Sequence, residues 1–268
     1  MTPPRDWIDI NWAHAGPAEV SRWIAVLPLA ATEQHGPHLP LTTDVLIAQA
    51  YLARVRELLS ASVPATFLPV EQVGISTEHI DYPGTQTLPT DAALKRWTGI
   101  GEDIARRGLR KLVIITSHGG NSAAMMLVAQ DLRAHHKLFV VTTSWSRLSG
   151  ADKLFPAEEV RHGIHGGAVE TSIMLARYPG QVRKDAIADF PASSIALEKQ
   201  YRWLSTQRPA PFAWQAQDLN ATGAVGDATL AVAEKGEQLI DQGARAFCEL
   251  LSEVDNFDVN RLAKGPLG

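Results

Sequence analysis

Apolar positions along this chain follow two periods. Unbroken runs at Trp23–Ala31, Ala65–Val70, Lys111–Thr116 and Leu138–Thr143 read as buried strands. Between and after them, apolar residues recur every three to four positions. Val45, Ala48, Leu52, Val55 and Leu59 predict a helix over 44–60, with Thr42, Thr43 and Asp44 in front of it as capping side chains. Leu94, Trp97, Gly101 and Ile104 predict another over 91–107, stopped by Gly108. A third spans about 122–136, and a fourth runs from Val169 to Arg177, closed by Pro179. Leu239, Ile240, Phe247, Leu250, Leu251 and Val254 mark a long C-terminal helix. Residues 150–165 read as loop. Segment 189–224 breaks the pattern with three prolines and the large aromatics Trp203, Phe212 and Trp214, and reads as a cover or an inter-subunit arm. Strands alternating with helices over short connections predict a parallel sheet covered on both faces. Ligands of such sheets sit beyond the carboxyl ends of the strands.

Composition narrows the class. With 268 residues, 45% hydrophobic and 20% charged, the chain can bury a sizeable core as one large α/β domain or two small ones. A formal net charge of −4 gives no electrostatic case for nucleic acid or an anionic membrane as partner. No apolar run reaches the length of a membrane span, no signal peptide is visible, and the single cysteine, Cys248, fits a reducing compartment. A soluble cytoplasmic protein is expected.

Chemistry concentrates where the strands end. Directly after the first run comes Glu33-Gln-His-Gly-Pro-His-Leu-Pro, followed by Asp44 at the start of a helix. Glu33 and His35, two apart on extended backbone, project to one side. Asp44 can serve as helix cap, as ligand, or as both. After the third run stands His118-Gly-Gly-Asn121; its glycines permit close approach to a ligand, and Asn121 suits an N-cap. The third group is His162-Gly-Ile-His165-Gly-Gly-Ala-Val-Glu170, in which the helix dipole would favour Glu170 in any case. His38 reads as loop structure or as a residue behind the ligands, and His162 receives no role. Three carboxylates, Glu33, Asp44 and Glu170, meeting in one crevice would repel one another. Two divalent cations with a bridging hydroxide would neutralise them, and a mixed carboxylate and imidazole shell suits Zn, Mn or Fe(II).

These three signatures resemble those of the creatininase (creatinine amidohydrolase) family. Gly74-x-Ser76-x-Glu78-His79 with Pro83-Gly-Thr85, and the later Gly223-Ala-Val-Gly-Asp227, are similar to further family segments. The resemblance implies a one-domain, three-layer α/β/α sandwich around a mostly parallel sheet, spanning 1–268. It also implies a homo-oligomer, often a hexamer, that hydrolyses an amide with two metals. By position, Glu33, Asp44 and His118 would hold one cation and His35 and Asp44 the other, with Asp44 bridging. Creatininase itself uses a glutamate two residues after the motif histidine; here that residue is Gly120, so Glu170 becomes the candidate to complete the second set. Gly163, where an acidic residue often stands, and Thr116-Ser117, where Asn-Gly is common, are further departures. A water shared by the cations would attack a small-molecule amide, with His165 moving the proton as the catalytic residue. Ser76, Glu78, His79, Gly119 and Trp145 would line the substrate side, Trp203 and Trp214 serving as wall or lid, or else as core.

Two rival classes are weighed against this. A serine hydrolase needs a G-x-S-x-G elbow, and the chain has none. A non-catalytic metal or small-molecule binding protein on the same scaffold differs by lacking a chelator-sensitive activity.

Overall fold

The first apolar run becomes β1 (Ile24–Leu29), and every one of its residues is buried. It pairs in parallel with β2 (Ala65–Phe67) on one side and β3 (Lys111–Thr116) on the other; β3 then pairs with β4 (Phe139–Ser144). The four-stranded order is β2-β1-β3-β4. The runs lack polar alternation because both faces are covered. Ile24, Val26, Val113 and Ile115 enter one core, while Ala25, Leu27, Leu29, Leu112 and Ile114 enter the other. The computed structural model describes residues 2–263 and 265.

Helices α1 (Thr43–Leu58), α2 (Thr90–Arg106) and α3 (Ser122–His136) connect the strands. They are followed by α4 (Ala157–His162), α5 (Ala168–Arg177), α6 (Ser193–Gln200) and α7 (Ala233–Asn256). Side chains of α1, α5 and α7 fill the first core, and those of α2 and α3 fill the second. This is the three-layer α/β/α arrangement. Along α7, Gly236, Leu239, Ile240, Gly243, Ala244, Phe247, Leu251 and Val254 form the buried stripe, at helical spacing. Buried Lys111 ties the end of that helix to β3 by donating to the carbonyls of Val254 (2.7 Å) and Asp255 (2.6 Å).

Two elements differ from the sequence expectation. The second strand stops at Phe67 rather than reaching Val70, because Pro69 and Pro28 remove N–H groups that a longer ladder would use. The Pro28 carbonyl instead takes the N–H of Glu71 at 2.9 Å. Residues 157–162, expected as loop, form α4. Pro156 precedes it, with acidic Glu158 and Glu159 in the first turn and Arg161 and His162 in the last.

Segment 189–224 lies over the ends of the site loops. Phe190 stacks on His38 with centroids 5.1 Å apart, and Tyr82 donates to the Ala221 carbonyl at 3.0 Å. Trp214 donates to the carbonyl of Thr206 in the same segment, and Trp203 is exposed. No helix among the described residues is long and apolar enough to cross a membrane.

Glycine at 236 lets α7 approach α5 closely, since a Cβ there would run into the Ser172 carbonyl. Backbone cannot yield as a side chain can. Gly236→Ala is therefore expected to destabilise the fold by about 1–3 kcal/mol, read as a lowered urea midpoint with unchanged slope; an unchanged midpoint would show that the two helices separate freely.

Candidate functional site

The expected residues converge beyond the carboxyl ends of β1, β2 and β3. Glu33 and His35 follow β1, and Asp44 enters from the first turn of α1. Glu78 and His79 lie in a single 3-10 turn after β2, and His118 follows β3. His165 and Glu170 flank the start of α5. Glu33, His35, Asp44, His79, His118 and His165 are all buried.

Asp44 does not cap its helix. The cap residue is Thr42, which makes no side-chain bond, and the Thr43 hydroxyl donates back to the Pro40 carbonyl at 2.6 Å. Asp44 turns inward, and its Oδ2 has no hydrogen-bond partner. Asn121 is not a side-chain cap either. Its Oδ1 accepts the Ile75 N–H at 3.0 Å, and its Nδ2 donates to the Ala30 carbonyl (3.1 Å) and to Thr116 Oγ1 (3.2 Å). One amide thus joins the three strand-end loops.

Backbone carbonyls decide which nitrogen each ring presents to the cluster. His35 Nδ1 donates to the Glu33 carbonyl at 3.0 Å, which aims Nε2 at Asp44 Oδ2 and Glu170 Oε2, each 3.8 Å away. His118 Nε2 donates to the Ile75 carbonyl at 2.8 Å, which leaves Nδ1 3.0 Å from Glu33 Oε1 and 3.6 Å from Asp44 Oδ2. His165 Nε2 donates to the Gln34 carbonyl at 2.6 Å, so that Nδ1 faces Glu33 Oε1 at 3.7 Å. His79 differs, because its Nδ1 accepts from the Gln34 amide at 2.6 Å. A neutral His79 therefore carries its proton on Nε2, 3.5 Å from Glu33 Oε1.

Charge in this pocket is unbalanced. Burial pushes the Glu33 carboxyl up, but facing His118, with His165 and His79, more than reverses this and holds it below the ordinary carboxylate range. Burial pulls His118 down, yet Glu33, Asp44 and Glu78 drive it up to about 10. Burial, then the Glu33 charge, raises Asp44 well above a normal aspartate, and burial likewise raises Glu170. Burial and His35 lower His165 to about 4. Of the acids gathered here only Glu33 is held below its ordinary range, facing the His118 imidazolium, while Asp44 and Glu170 resist ionisation. Glu33 Oε2, His35 Nε2 and Asp44 Oδ2 are buried without a hydrogen-bond partner, and Glu33 Oε1 is met by the His118 ring. Such groups need a partner that the surrounding side chains and backbone do not supply. Ligand atoms of Glu33, His35 and Asp44 lie within 4.8 Å of one another, as do those of His35, His165 and Glu170. The donor set fits divalent cations of the Zn, Mn or Fe(II) kind.

The residues expected on the substrate side part company. Ser76 is buried with an unpartnered hydroxyl, and His79 joins the cluster itself. Glu78 Oε1 lies 3.5 Å from His118 Nε2 and fills the space over Gly120, where a Cβ would come within 2.6 Å of it. Gly119 is exposed, with open space before it. Trp145 is a correction: it is a core residue, stacked on Tyr51 at 4.5 Å and edge-on to Phe247 at 5.0 Å. Its strand-end position suggested the crevice, but the side chain turns to the α1–α7 face. Gln34 and Thr116 were missed. Gln34 lay in plain view between two candidate ligands, while Thr116, noted only as a departure from the family pattern, takes the His118 N–H on its hydroxyl at 3.0 Å.

A family model described as creatininase, creatinine amidohydrolase, matches residues 9–251. The creatinine amidohydrolase of Pseudomonas putida is 28% identical over 246 residues, covering 86% of this chain and 89% of its own length. The mycofactocin precursor peptide peptidase of Mycobacterium tuberculosis is 30% identical over 253 residues, covering 86% of each chain. A crystal structure of creatinine amidohydrolase superposes with a TM-score of 0.75 at 25% identity, over 95% of this chain and 99% of the other. Solved creatininases include a manganese form and a zinc–zinc form.

Cation uptake by this cluster should release protons. In its absence, His118 (about 10) is protonated at pH 7 and Asp44 has its pKa raised. The His118 proton must leave before its Nδ1 can bind a cation, and the raised Asp44 pKa acts in the same direction, so affinity rises with pH and falls as acid restores the proton. Calorimetric titration with Zn2+ in buffers of different ionisation enthalpy should show at least one proton released, equivalent to about a tenfold loss of affinity per pH unit lowered. Buffer-independent heats would contradict this.

Proposed function

The chain belongs to the creatininase (creatinine amidohydrolase) family, and we propose that it hydrolyses the C–N bond of a small, non-peptide amide at the Glu33–Asp44–Glu170 cluster. The observation that carries this reading is the set of unpartnered, buried atoms on Glu33, His35 and Asp44. Glu33, Asp44 and His118 would hold one divalent cation, and His35, Asp44 and Glu170 the other. Asp44 Oδ2 suits a shared ligand, since it stands 3.6 Å from His118 Nδ1 and 3.8 Å from His35 Nε2. When bound, such a cation pair lowers the pKa of water and polarises an amide carbonyl.

The remaining work falls to the chain. His165, held neutral by burial, presents the lone pair of Nδ1, because its other nitrogen is committed to the Gln34 carbonyl. It can take the proton of the attacking water and return it to the leaving nitrogen. The Nε2–H of His79 points into the same space, placed to donate to a developing oxyanion. The Ser76 hydroxyl is free for the substrate, and Glu78 at the rim favours a substrate with a positively charged or N–H-rich group. Hydrolysis of a short peptide is the second reading, favoured by the open space before Gly119. A non-catalytic binding protein would use the same ligands without turnover.

Zn2+- or Mn2+-reconstituted protein, screened against cyclic amides, formamides and short peptides, should show one activity that a chelator abolishes and metal restores. No activity on all three classes would favour the binding-protein reading. His165→Ala should reduce turnover by about a hundredfold or more while bound metal stays stoichiometric; unchanged turnover would remove His165 from the reaction. Stoichiometry tests the ligand sets separately. Asp44→Asn should lose both equivalents of metal and Glu170→Gln no more than one, as measured by elemental analysis; equal losses would remove Asp44 from its shared position.

A further inference from the structure

Three glycines meet around one side chain that takes no part in the cluster. Glu159, in α4, is 6% exposed. A Cβ on Gly163 would collide with its carboxyl group, one on Gly167 would strike its Oε1, and one on Gly226 would lie 2.9 Å from the same oxygen. The socket is built for this carboxylate. Glu159 Oε1 accepts the Ala168 N–H at the start of α5 (2.7 Å), and Oε2 accepts the Asp227 N–H (2.7 Å).

Those two amides belong to the segments that carry the site. His165 and Val225 exchange backbone hydrogen bonds, His165 N–H to the Val225 carbonyl at 3.2 Å and Val225 N–H to the His165 carbonyl at 2.6 Å. Glu170 follows two residues after Ala168 and accepts the Gly166 N–H at 2.6 Å. The carboxylate therefore bridges the turn and helix that present His165 and Glu170 to the strand against which His165 is paired. Only a carboxylate offers two acceptors to two such donors, and one of them is a helix N-terminus, where negative charge is favoured.

Gly163 has φ −80°, a conformation open to any residue. Its backbone does not demand glycine; the space occupied by Glu159 does. We propose that Glu159 is a positioning residue whose carboxylate locks the His165 turn and the first turn of α5 to Val225–Asp227, so that His165 and Glu170 reach the Glu33–Asp44 cluster. A carboxylate entering the same socket from position 163 can replace it. The lock itself follows from the contacts above; its effect on metal binding rests on the binuclear reading.

The test compares the full-length parent, Glu159→Gln and the double variant Glu159→Ala/Gly163→Asp. In Glu159→Gln, one acceptor becomes an NH2 group facing an N–H. Amide hydrogen exchange across 164–170 and 225–227 should then accelerate at least tenfold, with β1 and β3 unchanged. In Co2+ titrations the second equivalent should weaken by about tenfold or more and the first by less than threefold. The double variant should restore both to within threefold. Unchanged local exchange in Glu159→Gln would overturn the proposal, and so would equal acceleration throughout the fold or failure of the double variant to restore either property. If Glu159→Gln does not fold, the double variant decides alone: parent-like exchange supports the lock, and an unfolded or locally loosened protein overturns it. A parent that binds no Co2+ would sink the binuclear reading, and exchange would still judge the lock.

Discussion

The constraint on which this structure depends is a group of acids taken out of water with too few protein donors to meet them. One oxygen of Glu33 and one of Asp44 have no hydrogen-bond partner, the other Glu33 oxygen has the His118 ring, and Glu170 stands beside them. Removing a single ion from water costs several kcal/mol even after relaxation, as an order of magnitude. The protein meets part of this with the His118 imidazolium and leaves the remainder for a cation. A core of ordinary polar pairs would have been simpler to fold. The unmet demand is what a divalent cation would satisfy.

What keeps the pocket from relaxing is backbone. The carbonyls of Glu33, Gln34 and Ile75 each take one ring N–H, fixing which nitrogen of His35, His165 and His118 points inward. Asn121 then fastens the loops that follow β1, β2 and β3 to one another through three hydrogen bonds. The departures from the family pattern fit the same logic. Gly120 gives up its side chain to the volume where Glu78 lies, and Gly163 gives up its own to Glu159. In each case a carboxylate stands beside the glycine, Glu78 from the turn after β2 and Glu159 from the helix that Gly163 itself ends.

Much of this was legible in the sequence, for physical reasons that can be named. Strands buried on both faces write unbroken apolar runs, so β3 emerges with its observed limits, and the third helix, expected at about 122–136, is found at Ser122–His136. The convergence of Glu33, His35, Asp44, His118 and Glu170 followed from each lying just past a strand or at a helix start. Asp44 was ambiguous because a cap and a cluster residue begin from the same position; only the direction of the side chain separates them. Trp145 misled for a similar reason, since the sequence shows that it follows β4 but not which face it takes. Helix α4 is six residues long, too short for a period to emerge. Glu159 could not be recognised at all, because its partners are main-chain amides of residues 168 and 227.

The wide spacing of the cluster along the chain has a temporal consequence. Glu33, His35 and Asp44 leave the ribosome long before Glu170, and the Val225 strand that holds the His165 turn comes later still. Parallel strands joined by long crossovers pair slowly, since distant segments must meet before any contact rewards them. The nascent chain therefore presents scattered histidines and acids but no assembled cage. Metal choice is left to the finished pocket, whose rigid geometry can discriminate, rather than to whichever ion first meets an unfolded polypeptide.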